Sequence, residues 1–167
     1  KQRIEAVLGR EIQGGEDLQP RYNICPGLPN WVLRQPAGAQ PLRLEPFVWG
    51  LLPSWAKTPQ SSRRPINARA ETVAEKPMFR DLVRERRCAV PIDGYYEWRA
   101  TASGKAPFWF HLKSGEPFFL AGQRLGHYEL QKVGRPSRML EAAAAQDAFE
   151  RRPHLCRCRR QSVSRIV

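Results

Sequence analysis

Apolar residues open the chain at Ile4, Val7, Leu8 and Ile12, spaced three or four apart, and predict the end of an amphipathic helix over residues 1–12. Gly14-Gly15 is expected to break it. Residues 20–29 (PRYNICPGLP) read as a loop with a short extended piece. WVLR at 31–34 and LRLEPFVW at 42–49 then read as strands joined by a Pro/Gly/Ala turn. Residues 51–65 hold three prolines and a polar SSRR run, which predicts a long irregular loop. Met78, Phe79, Leu82 and Val83 predict a charged helix within residues 71–87. CAVPI (88–92) and YYEWR (95–99) follow as strands separated by Asp93-Gly94, and PFWFHL (107–112) and PFFLA (117–121) as strands joined by the KSGE turn.

Short strands with turn signals and only a couple of helices indicate an α+β domain built on a curled sheet. The pattern changes near residue 128. Residues 131–167 hold nine Lys/Arg against three acidic residues and one aromatic, without a convincing period. The expected organisation is therefore one domain over 1–130, followed by a basic tail over 131–167 that is disordered or foreign to the domain.

Composition sharpens this picture. The 167 residues suffice for one domain with a real core, and 41% apolar content argues against wholesale disorder. A net charge of +12 favours a polyanionic partner over a basic surface serving only solubility. Four cysteines are too few and too irregularly placed for a disulfide scaffold. With no apolar run long enough to span a bilayer and no signal peptide, a reducing, cytoplasmic location is expected.

Four segments carry candidate chemistry. In PINARAET (65–72), Asn67 offers a donor and an acceptor, and Arg69 a planar fork suited to phosphate. An Asn-x-Arg pair also serves commonly as a loop brace. In PIDGYYEWR (91–99), Glu97 stands between Tyr96 and Trp98. Apolar neighbours would raise its pKa toward the range useful in acid–base work. Strand alternation could equally turn Glu97 to solvent while Tyr96 and Trp98 pack inward. Trp98 suits either base stacking or core. In FVWGLLPSW (47–55), Phe47 and Trp49 read as core, whereas Trp55 opens a basic loop and suits stacking on an unpaired base. In RYNICPG (21–27), Arg21 and Asn23 precede a Pro-Gly turn, and Cys25 reads as a small buried hydrophobe rather than a nucleophile.

The ordered set RYNICPG, FVWGLLPSW, PINARAET, PIDGYYEWR, with PFFLAG behind, closely resembles the SRAP (SOS response-associated peptidase) family over roughly residues 1–125. The resemblance implies the SRAP fold, a curled mixed β-sheet or barrel core with a few flanking helices. It implies binding of single-stranded DNA and covalent cross-linking to abasic sites during the bacterial SOS response at the nucleoid, with autoproteolytic peptidase activity. Partners would be single-stranded DNA carrying abasic sites and no membrane; the protein would act as a monomer without cofactor or metal. By motif match Glu97 supplies proton transfers, and Asn67 holds the N-terminus and the sugar. Arg69 contacts phosphate, Trp55 and Trp98 border the DNA path, and Arg21, Asn23 and Pro26 line the same pocket.

The family's nucleophile is an N-terminal cysteine in a Cys-Gly-Arg segment, whose thiol and α-amine condense with the abasic aldehyde into a thiazolidine. This chain opens on Lys1 without that segment, so it is expected to be truncated there. Its three histidines, His111, His127 and His154, do not stand in the family's late His motif, and a shifted reading frame is expected after about residue 125. His154-x-Cys156-x-Cys158 has the wrong spacing for a zinc site. Two further readings remain: a non-covalent single-stranded DNA-binding remnant without catalysis, and a basic RNA-binding protein.

Overall fold

The computed structural model describes residues 1–38, 40–52, 65–102, 104–125, 129–133, 149–153 and 164–166. Helix α1 runs Gln2–Leu8. It stops earlier than the apolar spacing predicts, because Gly9 takes the left-handed conformation at φ 63° and closes the helix end. Ile12 is therefore buried from beyond the helix, where its N–H donates to Glu5 Oε1 at 3.1 Å. Ile4 is the helix residue that is fully buried, while Val7 stays exposed.

The strands that follow are β1 (Gln13–Gly14), β2 (Arg21–Ile24), β3 (Pro29–Arg34), β4 (Arg43–Trp49) and β5 (Asn67–Ala68). After helix α2 (Arg80–Glu85) come β6 (Arg87–Ile92), β7 (Gly94–Thr101), β8 (Gly104–Leu112), β9 (Phe118–Leu125), β10 (Glu129–Val133), β11 (Phe149–Pro153) and β12 (Ser164–Ile166). The expected α+β class holds, with the strands divided between two sheets. One has the order β1-β4-β3-β6-β9-β10-β5 and curls until β10 also pairs with β4. The other has the order β11-β8-β7-β12-β2.

Two sequence expectations are corrected. Helix is confined to Arg80–Glu85, and residues 70–79 form successive turns, such as Glu75 N–H to Thr72 O at 3.2 Å and Phe79 N–H to Lys76 O at 2.9 Å. Pro77 explains this, since it lacks an N–H and disfavours helical geometry at Lys76. The strands β8 and β9 do not form a hairpin across the KSGE turn; they lie in different sheets. The hairpin is instead β7–β8, paired from Gly94↔His111 to Thr101↔Gly104. The short extended piece expected within residues 20–29 is RYNI, paired with β12.

The chain crosses from the first sheet to the second at Asp93-Gly94. Only glycine fits at 94, because a Cβ there would collide with the Phe110 carbonyl oxygen and the Trp109 ring. Between the sheets lies the main core: Ile24, Val32, Phe47, Val90, Ile92, Tyr95 and Leu120. Tyr95 stacks on Phe110 at 5.4 Å between ring centroids and meets the edge of Phe118 at 6.3 Å. A second cluster joins Leu51, Ala68, Val73, Phe79 and Leu82, tying the PINARAET segment to α2. A third seats α1 through Ile4 against Leu33 and Leu44.

Candidate functional site

Trp49 is the hinge pin of the candidate site. It ends β4 almost fully buried, and its indole N–H donates to Ile66 O at 2.8 Å. The next ladder bond, Leu51 N–H to Pro65 O at 3.0 Å, fixes the same segment. These two bonds hold the entry to PINARAET, so Asn67 follows directly from an anchored backbone. On its other side Trp49 pairs with the loop after β2: Gly27 N–H donates to Trp49 O at 2.7 Å, and Trp49 N–H to Leu28 O at 3.0 Å. Arg21 reinforces that loop by donating from Nη1 to Pro29 O at 2.6 Å. RYNICPG and PINARAET are thus pinned to one strand end.

RYNICPG also touches the PIDGYYEWR strand. Ile24 shares the main core with Tyr95, and Cys25 packs against Tyr96 and Trp109. The structure does not keep Cys25 as a buried free thiol; it is half-buried and disulfide-bonded. Asn23 is exposed and Pro26 half-buried on the same loop.

Asn67 sits on β5 at the edge of the first sheet, exposed, in register with Lys132 of β10. Arg69 is exposed one residue beyond the strand. Ala68 between them is buried and anchors the pair to the second core cluster. Strand alternation therefore turns the two polar side chains outward while the alanine packs.

Glu97 lies on β7 in the other sheet, opposite Phe108. By alternation it shares the face of Tyr95, which is 1% exposed, and not a solvent face opposite Tyr96 and Trp98. Tyr96 is buried as well, on the other face, with its ring 4.8 Å from that of Trp109. Residues on both faces of this strand are buried, and Glu97 is half-buried. Trp98 beside it is half-buried, and its indole N–H is buried without a hydrogen-bond partner among the described residues. That donor is one a ligand oxygen could satisfy.

His111 has a structural setting: its Nδ1 lies 2.9 Å from Leu112 O and its ring stacks on Trp109. Cys88 is no nucleophile, since burial pushes its thiol up to about 12 despite the nearby Arg124. Among the described residues no group of three or more His, Cys, Asp or Glu is placed to hold a metal ion. Trp55, His127, His154, Cys156 and Cys158 lie outside the described residues. One contributor was not visible in the sequence. Arg3 of α1 reaches the β6–β7 and β8–β9 connections between the sheets, with Nη1 3.8 Å from Asp93 Oδ1 and Nη2 donating to Gly115 O. A lone arginine on a short helix carries no signal of that reach.

One mixed and one antiparallel sheet with few helices, gathered around the end of β4, define an α+β protein of a known architecture. A solved protein from Bacteroides thetaiotaomicron superposes with a TM-score of 0.62 at 27% identity, covering 78% of this chain and 61% of its own. A phage-related protein from Bordetella bronchiseptica gives 0.63 at 23% identity, covering 81% and 82%, and shares the fold. Residues 1–133 match the family described as SOS response associated peptidase (SRAP), and the chain belongs to that family.

Among similar proteins, abasic site processing protein YoaM of Bacillus subtilis is 40% identical over 107 residues, covering 64% of this chain and 46% of its own. Abasic site processing protein YedK of Escherichia coli is 32% identical over 155 residues, covering 89% and 67%. Abasic site processing protein HMCES of Xenopus tropicalis is 33% identical over 129 residues, covering 65% and 38%. The chain spans about half the length of the Bacillus relatives it matches. Among the described residues no helix is long and apolar enough to cross a membrane.

Proposed function

We propose that this chain carries the DNA-binding and proton-transfer groups of a protein that cross-links itself to abasic sites in single-stranded DNA. The single observation behind this reading is the setting of Glu97, half-buried beside Tyr95 and Trp98 and linked through RYNICPG and Trp49 to the anchored Asn67. A half-buried carboxyl group within reach of the N-terminal amine is suited to giving and taking protons during imine formation. In the family chemistry, an N-terminal amine attacks the ring-opened aldehyde, water leaves, and the cysteine thiol adds to the imine to close a thiazolidine. Asn67 would hold the amine and the sugar, Arg69 the adjacent phosphate, and Trp55 and Trp98 the flanking bases. Arg21, Asn23 and Pro26 would line the pocket. The same groups would support autoproteolytic exposure of the N-terminal cysteine, in a cytoplasmic monomer acting at damage sites on the nucleoid, with the region 1–130 as the working unit.

The test is a denaturing gel. Protein beginning with the Cys-Gly-Arg segment, incubated with abasic single-stranded DNA, should give a slower band that survives denaturation. No such band means the reading is wrong. Salt-sensitive binding without a covalent species would identify instead a non-covalent binder of single strands.

A further inference from the structure

A second cluster of chemistry lies at the far end of the inner sheet face. By alternation, Val32 and Phe47 belong to the main core, and the same face continues through Glu45 to Arg34 and Arg43. On β6 and β9 this face carries Cys88, Gly122 and then Arg124. Arg34 and Arg43 are directly opposite each other in the β3–β4 ladder. Like charges so placed repel and oppose the pairing. Glu45 relieves part of this: Arg34 grips it with two bonds, Nε to Oε2 at 2.6 Å and Nη2 to Oε1 at 3.0 Å, and Arg43 Nη1 stands 3.9 Å from Oε1.

The compensation is incomplete. Burial, and after it the positive charges of Arg34 and Arg86, pushes the Arg124 pKa down. Arg34 and Arg43 thus share one carboxylate, on which Arg124 also acts electrostatically. Arg43 Nε is buried without a hydrogen-bond partner among the described residues. The side chains of Arg34 and Arg43 are 16% and 43% exposed, so the site is partly sheltered yet open to a solute. Arginine does not shed its proton in a protein, so the surplus charge is met by an anion rather than by titration.

We infer that Arg34, Arg43 and Arg124, braced by Glu45, form a second anion site that takes a phosphate group, apart from the Asn67 and Glu97 segments. A tetrahedral phosphate offers several acceptor oxygens to converging guanidinium forks, which suits it to three arginines on separate strands. The group is either free phosphate or a phosphodiester of a nucleic-acid strand. This inference does not depend on the abasic-site reading, because inorganic phosphate alone tests it.

Thermal melting and calorimetry of the whole chain should show stabilisation and binding by inorganic phosphate beyond chloride at equal ionic strength. Arg43→Gln and Arg124→Gln should each weaken phosphate binding about tenfold, the loss of one charge-assisted contact. Glu45→Gln should strengthen it, a gain that partial unfolding would not produce. Equal responses to phosphate and chloride, or unchanged affinity in both arginine variants, would overturn the inference. A second arm uses an unmodified single-stranded 12-mer. If the bound group is a phosphodiester, each arginine variant lowers the salt slope of binding by about 0.7; an unchanged slope with phosphate binding lost assigns the site to free phosphate.

Discussion

Two side chains organise this molecule more than their neighbours do. Trp49 was recognisable as core from its place in FVWG, but the bond from its indole to Ile66 O was not, because that partner is 17 residues away across irregular sequence. Trp49→Phe keeps most of the ring and removes the donor, leaving a sheltered carbonyl unpaired. We expect a loss of about 1–3 kcal/mol in urea unfolding, and no loss would show that the bond does not anchor PINARAET. Glu45 answers to pH. The Arg34 guanidinium, and to a lesser degree Arg43, holds its carboxyl below the ordinary 4.5. A carboxyl depressed in the fold stabilises fully above its unfolded value, and that contribution is lost as pH falls through the folded value. The melting-temperature gap between the parent and Glu45→Gln should therefore be constant above pH 4.5 and close below it. A gap unchanged down to pH 3 would contradict the pairing.

At the level of elements, α1 shows how packing overrides spacing. Ile4, Val7, Leu8 and Ile12 predict one helical stripe, yet Gly9 ends the helix and Ile12 reaches the core from the chain beyond it. Ile4 carries the docking, at 0% exposure against Leu33 and Leu44. Ile4→Ala should cost about 2–5 kcal/mol in chemical denaturation, whereas Val7→Ala, at an exposed position, should change little. Strands were legible where β-branched and aromatic residues alternate, as in WVLR and YYEWR. Their partners were not. CAVPI and YYEWR are adjacent in sequence but belong to different sheets, since pairing is set by contacts distant in sequence. The helix expected over residues 71–87 shrank to Arg80–Glu85 because Pro77 sits in its middle.

For the molecule as a whole, the ordered segments pointed to the family, and the match over residues 1–133 shows it. Sequence could not decide which way Glu97 faces, because alternation sorts residues into two faces without telling which is covered. Here residues on both faces are buried, Tyr95 on one side and Tyr96 on the other. The net charge of +12 fits a partner with a phosphate backbone.

The central claim is that Glu97 moves protons at a site shared with Asn67. Its most direct measurement compares single-turnover cross-linking of abasic single-stranded DNA by the parent and by Glu97→Gln, each beginning with the Cys-Gly-Arg segment. The account predicts a rate about 10²-fold or more lower in the variant, with non-covalent affinity for the same strand within twofold of the parent. Equal cross-linking rates in the two proteins would contradict it.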